Sequence, residues 1–173
     1  MKENELKLIA ELMKNSRRSD RELAKAIGTS QPTVTRIRRR LEKEGYIKEY
    51  TMIPDFVRLG YGILAFNFAN FRKPLGREEC AELHKRTIKM DRDYPTANLL
   101  AMNGIGLGKE RISAALFEDY TSFAKAVSLA KQIPNVDSSS VESFVVDLKD
   151  ETHFRSLTLS AVGEHLLTRN GEK

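Results

Sequence analysis

SDRELAKAIGTSQPTVTRIRRRLEKEG, residues 19–45, carries two helix starts and two helix stops within one short stretch. Ser19-Asp20-Arg21-Glu22 has the form of a capping box: the Ser19 hydroxyl accepts from an orphan N–H of the first turn, and Glu22 reaches back. Leu23, Ala24 and Ile27 supply the inward face of a short helix. Gly28 stands where a left-handed residue ends one. Thr29-Ser30-Gln31-Pro32 opens the next helix, since proline in a first turn lacks only an N–H that had no partner. That helix runs to about Glu44 and stops at Gly45. Upstream, Leu6, Ile9, Ala10 and Met13 follow the i, i+3, i+4, i+7 spacing of an amphipathic helix over Glu5–Lys14. Two helices joined by a tight glycine turn behind a supporting helix make a helix-turn-helix.

The last of the three has the two faces this role requires. At 100° per residue, Val34, Ile37 and Leu41 share a stripe that can pack inward. Pro32, Thr35, Arg36, Arg39 and Lys43 lie opposite, flanked by Thr33 and Arg40 on one side and Gln31 on the other. Gln and Arg can pair in bidentate fashion with adenine and guanine edges, and threonine methyls can meet thymine methyls. The DNA-contact candidates are therefore Gln31, Thr33, Thr35, Arg36, Arg39, Arg40 and Lys43, with Arg17 and Arg18 as phosphate partners. Arg38, Arg39 and Arg40 fan around the helix, so all three cannot read bases. Arg38 lies near the apolar stripe and is expected on a phosphate or on an acidic neighbour.

Charge distribution points the same way. The chain has 173 residues and a net charge of +5. Residues 1–50 hold 13 Lys/Arg and 8 Asp/Glu, whereas the remainder holds 16 of each. Between Lys14 and Lys43, ten basic residues face three acidic ones. A basic first third on a neutral remainder suits an element that meets a polyanion. A charged three-helix bundle without a DNA partner is the alternative.

Other classes are excluded or left without support. One cysteine, Cys80, forbids an internal disulfide framework and a multi-cysteine zinc site, and His84, His153 and His165 show no ligand spacing. No metal and no cofactor is expected. No apolar run approaches the ~18 residues of a membrane helix, and the charged start is no signal peptide, so a cytoplasmic protein without membrane contact is expected.

Leu6 to Tyr61, and above all Arg21-Glu22-Leu23-Ala24-Lys25-Ala26-Ile27-Gly28-Thr29-Ser30-Gln31-Pro32-Thr33-Val34-Thr35-Arg36, resembles the DNA-binding domain of the Lrp/AsnC (feast/famine) transcriptional regulators of bacteria and archaea. Arg39-Arg40-Leu41-Glu42-Lys43-Glu44-Gly45-Tyr46-Ile47, then Asp55 and Leu59-Gly60-Tyr61, is similar to that family's strand and hinge. The likeness covers about a third of the chain.

Beyond Gly45, Tyr46–Ile53 is β-branched and aromatic, which predicts a short strand as a wing or dimer-pairing element. From Tyr61 the period switches to two, with Leu64, Phe66 and Phe68 alternating with Ala65, Asn67 and Ala69. A helix over Glu78–Met90 carries Cys80, Leu83, Thr87 and Met90 on one face. Strands over Ala97–Met102 and Arg111–Phe117 flank a glycine-rich loop. A helix capped by Asp119 turns Phe123, Val127, Ala130 and Ile133 inward, and Val141–Leu148 is a last strand. The expected fold class is α+β: an N-terminal winged helix-turn-helix domain followed by a ferredoxin-like β-α-β-β-α-β domain. The expected boundaries are 1–54 for the DNA-binding domain, 55–60 for a hinge, 61–150 for the second domain and 151–173 for an extension. In that extension a helix over Glu151–Leu167 would turn Phe154, Leu157, Ala161 and Leu166 inward.

The family resemblance implies a sequence-specific regulator acting as a homodimer or an assembly of dimers on double-stranded DNA, with a C-terminal domain for oligomerisation and effectors. Where family members carry a Thr-Gly-x-x-Asp-type turn, this chain has Asn103-Gly104-Ile105-Gly106-Leu107-Gly108-Lys109-Glu110. An amino-acid effector is therefore not carried over. Gly104, Gly106, Gly108 and Lys109 are the candidate effector-binding residues, and a bare hairpin loop is the other reading. Two further functions compete. An architectural DNA coater would use the same residues with little sequence preference. Siroheme decarboxylases have a similar two-domain plan, but the comparable stretch Asp91–Asn98 lacks their His and the chain has no Trp. A regulator rather than an enzyme is expected.

Overall fold

The computed structural model describes residues 1–74, 76–93, 97–152 and 157–171. They form two compact units, one holding the first three helices and the last, the other the sheet and its two helices.

In the first unit, α1 (Glu3–Lys14), α2 (Asp20–Ile27) and α3 (Gln31–Lys43) enclose Leu8, Leu12, Leu23, Ala24, Ile27, Val34 and Leu41. The α2 capping box forms, with the Glu22 N–H donating to Ser19 Oγ at 3.3 Å and the Ser19 N–H to Glu22 Oε2 at 2.7 Å. Gly28 ends α2 at φ +71°, a left-handed conformation that glycine adopts without Cβ strain. The stripe expected to face inward on α1 is only part of the buried surface. Leu8 and Leu12 fill the three-helix core, with Ile9 packed against it, while Ala10 and Met13 meet the C-terminal helix α6 (Ser160–Gly171). A Cβ on Gly163 would lie 2.9 Å from the Ala10 carbonyl oxygen, so the two helix backbones nearly touch. The helix expected over 151–167 begins at Ser160 instead. Leu157, expected inward, is exposed, and Phe154 lies outside the described residues.

Residues 46–53 depart from expectation, since they form no strand. A strand requires a ladder, and this segment is held by single bonds: the Ile47 N–H donates to the Leu41 carbonyl at 3.2 Å, and Ser16 Oγ to the Thr51 carbonyl at 3.0 Å. The segment lies beside α1, with Ile47 packed on the core.

The second unit begins with a hydrogen-bonded turn at residues 55–61, where Phe56 meets Tyr61 edge to face. It continues through β1 (Ile63–Ala69), α4 (Arg77–Asp93), β2 (Ala97–Gly106), β3 (Lys109–Phe117), α5 (Tyr120–Ala130), a 3-10 turn at Ser138–Ser140 and β4 (Glu142–Asp147). The sheet is antiparallel in the order β2-β3-β1-β4, the ferredoxin-like arrangement. Residues opposite one another share a face, so the ladder assigns the two sides. Ile63, Ala65, Ala115 and Phe117 pack against Phe123, Ala126 and Val127 of α5. The larger set Leu64, Phe66 and Phe68, with Phe144 and Val146 of β4, lies on the opposite side. The glycine-rich loop expected over 103–110 is shorter than its composition suggests. The strands continue through Gly106 and from Lys109, leaving the turn Leu107-Gly108, both at positive φ (54° and 66°) as a type I′ hairpin requires. The side chains of Thr87 and Met90 on the helical face, and residues 94–96 of the stretch compared with siroheme decarboxylases, lie outside what is described.

Candidate nucleic-acid interface

The candidate site is the outer face of α3, and its character follows from which cations are already engaged. Arg40 reaches back to Glu5 on α1, whose carboxylate is buried and also accepts the Lys2 N–H at 2.9 Å. Arg18 pairs with Glu11. Arg38 pairs with Asp20 at 2.7 Å, donates to the Arg18 carbonyl at 3.3 Å and lies over the Tyr50 ring at 5.8 Å. The acidic neighbour expected for Arg38 is thus Asp20. Thr35 Oγ1 donates to Asp20 Oδ2 at 2.6 Å, which ties α3 to the first turn of α2. Thr33 Oγ1 pairs with Ser30 Oγ at 2.8 Å.

Arg36, Arg39 and Lys43 remain. They project at i, i+3 and i+7 from one exposed stripe, and among the described residues none has an acidic partner within ion-pair distance. Gln31 at the helix start and Arg17 in the turn before α2 are likewise exposed, with side chains free of internal bonds. Bringing three unneutralised cations into one stripe costs electrostatic repulsion that a polyanion would relieve. No helix among the described residues is long and apolar enough to cross a membrane, and none of their His, Cys, Asp and Glu groups is placed to hold a metal.

Sequence reasoning missed the residues that position this face. Asp20 serves both Thr35 and Arg38, yet in sequence it reads only as an acid in a helix first turn. Glu5 precedes the apolar stripe of α1 and in sequence reads only as an acid in a helix first turn. Tyr50 donates to Glu42 Oε1 at 2.7 Å, and partial burial with that carboxylate pushes its pKa up to about 12.

In the second unit, Gly104 and Gly106 lie within β2, and a Cβ on either would meet nothing within 4 Å. Lys109 Nζ is engaged internally, with Ser140 O at 2.7 Å and Glu142 Oε1 at 2.8 Å. As a result, the hairpin offers no free ammonium to a ligand.

A tight two-helix turn presenting a bare cationic stripe defines a DNA-binding protein of the helix-turn-helix class, and residues 1–48 match the winged helix-turn-helix DNA-binding family. Within that class, the matched stretch is similar to transcriptional regulators that include LrpC, and the whole chain shares its fold with solved Lrp/AsnC structures. An HTH-type transcriptional regulator of Pyrococcus furiosus is 29% identical over 83% of this chain and 91% of its own length. LrpC of Bacillus subtilis is 48% identical over 32% of this chain and 39% of its own, and its structure superposes with a TM-score of 0.66 at 22% identity over 90% and 99% of the two chains. For the other curated relatives the matched stretch spans 47% and 38% of their length. A Neisseria meningitidis regulator solved as an L-Met complex has a TM-score of 0.69 at 21% identity, over 94% of this chain and 99% of its own.

Proposed function

We propose that this chain is a sequence-specific transcriptional regulator that lays α3 in the major groove of double-stranded DNA. The observation that carries the reading is the division among its cations: Arg18, Arg38 and Arg40 hold the scaffold, while Arg36, Arg39 and Lys43 are left bare on one stripe. Gln31 and Arg36, near the helix start, read base edges, with the Thr33 methyl beside them. Arg39, Lys43 and Arg17 hold phosphates. Thr35, Arg18 and Arg40 act by fixing the pose of α3. Relatives named as transcriptional regulators support this reading over an enzymatic one.

The protein acts as a homodimer or an assembly of dimers. Support comes from the uncovered side of the sheet, where Phe144, opposite Phe66, and Met102, opposite Ile112, are 65% and 60% exposed. A dimer places two recognition helices on a pseudo-palindromic site. A small molecule sensed by the second unit belongs to the same reading, as the L-Met complex of the Neisseria relative suggests.

The test is fluorescence anisotropy of the purified protein on its own upstream DNA and on scrambled DNA of equal length, across roughly 50–300 mM salt. The expected result is a preference of about a hundredfold or more that persists as salt rises. It should be reduced by Gln31→Ala and by Arg36→Ala. Equal, steeply salt-dependent binding to both DNAs would identify an architectural coater instead.

A further inference from the structure

Arg111 is the one arginine of the second unit whose side chain turns into the layer between sheet and helices. It stands opposite Ala69 on β1 and Asn103 on β2, on the helix-facing side. It is half-buried, and among the described residues its guanidinium meets no carboxylate and makes no hydrogen bond. Burial pulls its pKa below the ordinary arginine value, and only the Cys80 sulfur on α4 opposes that pull. A half-buried guanidinium with five donors and no protein partner among the described residues is available to an anion.

Two cavities meet at this group. One, of about 160 Å³, lies between the sheet and α5 and carries Asn67 and Ser113 against the apolar Ala126, Val127 and Ala130. The other, of about 410 Å³, lies between the sheet and α4, lined by Cys80, Leu83, His84 and Ile88. Asn98, Ala101 and Arg111 line both. Ser143 Oγ donates to Asn67 Oδ1 at 2.7 Å, which leaves the Asn67 amide nitrogen as its group able to donate. Arg111 is the charged group that the two linings share, and no Asp or Glu lines either cavity among the described residues.

We propose that the junction of these cavities binds a small carboxylate with a short aliphatic chain, its carboxylate forked by Arg111 and its chain seated against α5. The inference rests on the reading of the second unit as a ligand sensor, and it names the ligand class. A guanidinium fork fits a planar carboxylate in bidentate geometry. With no acidic side chain lining either cavity among the described residues, an α-ammonium group would be placed there with no carboxylate to balance its charge. A 2-oxo or unsubstituted acid therefore suits the site, and an amino acid does not.

Isothermal titration of the full-length protein with 2-oxoisovalerate, isovalerate and valine tests this directly. Both the oxo acid and isovalerate should bind, valine at least tenfold more weakly. Arg111→Met should abolish binding, and Arg111→Lys should weaken it at least tenfold. The lone cysteine supplies a readout free of any substitution, because saturating 2-oxoisovalerate should slow alkylation of Cys80 in the native protein. Valine binding as tightly as the oxo acid would overturn the ligand class. Binding that survives Arg111→Met in a variant with an unchanged melting curve would overturn the site while leaving small-molecule sensing intact. If none of the three acids binds and Cys80 is not protected, the proposal fails, whereas the DNA reading stands or falls separately on the anisotropy titration.

Discussion

Arg40 on α3 closes on the buried carboxylate of Glu5 on α1, so the last cation of the Arg38-Arg39-Arg40 run is turned toward the protein. Glu5 is 5% exposed. Removing Arg40 would leave that carboxylate buried with only the Lys2 N–H and solvent to stabilise it. A fully buried pair broken in this way costs about 3–5 kcal/mol, but the Arg40 side chain is 41% exposed and water can relieve part of the loss. Arg40→Ala should therefore destabilise the fold by roughly 1–2 kcal/mol. Arg36→Ala should stay within about 0.5 kcal/mol of wild type, as surface changes generally do. Urea denaturation of both variants checks the contrast, and Glu5→Gln in the Arg40→Ala background should recover part of the loss.

Arg39 and Lys43 differ from Gln31 in what they would recognise. A phosphate contact carries no sequence information, so Arg39→Ala or Lys43→Ala should weaken binding to specific and scrambled DNA alike. Each should lower the slope of log K against log salt by about one. Gln31→Ala should instead cost about 1–3 kcal/mol on specific DNA only and leave the slope unchanged. Anisotropy titrations at several salt concentrations separate the two patterns. A slope unchanged in Arg39→Ala would remove that residue from the interface.

Tyr50 links the segment after α3 to the recognition helix through Glu42, and its raised pKa fixes the sign of a pH effect. In the unfolded chain the phenol ionises near its ordinary value of 10, whereas in the folded protein it ionises at about 12. The protonated phenol is the form the fold favours. Its contribution is fully present below pH 10 and is lost as pH rises toward 12. An ultraviolet titration of phenolate should show a step near pH 12, and Tyr50→Phe should remove it.

The helix-turn-helix was legible because its signals are local: a capping box, a glycine stop, a proline in the first turn and an apolar stripe all lie within 27 residues. Partners distant in sequence were not legible. Periodicity places Arg36 and Arg40 near the same face, and only the folded unit reveals that Glu5, 35 positions away, neutralises one and not the other. The sheet repeats the lesson. Strand alternation separates Leu64, Phe66 and Phe68 from Ala65, Asn67 and Ala69, but it does not say which set the helices cover. The small residues lie under α5, whose own Phe123 and the neighbouring Phe117 fill the space, stacked edge to face at 5.6 Å. The same ambiguity concealed Arg111, which shares the helix-facing side with Ser113 and Ala115. Residues 46–53 have the composition of a strand, but composition cannot supply a ladder partner.

Gly163 marks where α6 crosses α1. A methyl there would sit 2.9 Å from the Ala10 carbonyl oxygen and 3.3 Å from the Ala10 Cα, both backbone atoms that cannot swing aside. Gly163→Ala would gain about 1 kcal/mol of helix propensity. Overpacking costs about 1–3 kcal/mol, so the clash should win and the variant should lose stability, with faster amide exchange along α1. Glu164→Ala, on an exposed position of the same helix, should do neither. A Gly163→Ala variant more stable than wild type would mean that α6 does not rest on α1.

The uncovered side of the sheet makes a prediction about mass rather than stability. Phe144 stands directly opposite Phe66 on that side and is 65% exposed. In an isolated protomer a charge at position 144 would sit in water, so Phe144→Glu should cost the fold little. If two copies of this chain join through that side, each presents the same patch to the other. The substitution then buries two like charges in an apolar interface. Light scattering over a dilution series should show the wild type as a dimer or larger and Phe144→Glu displaced toward the monomer, with a melting curve measured at low concentration close to that of wild type. An unchanged mass in the variant would assign assembly to another surface, and DNA affinity measured alongside would tell whether pairing of two recognition helices survives.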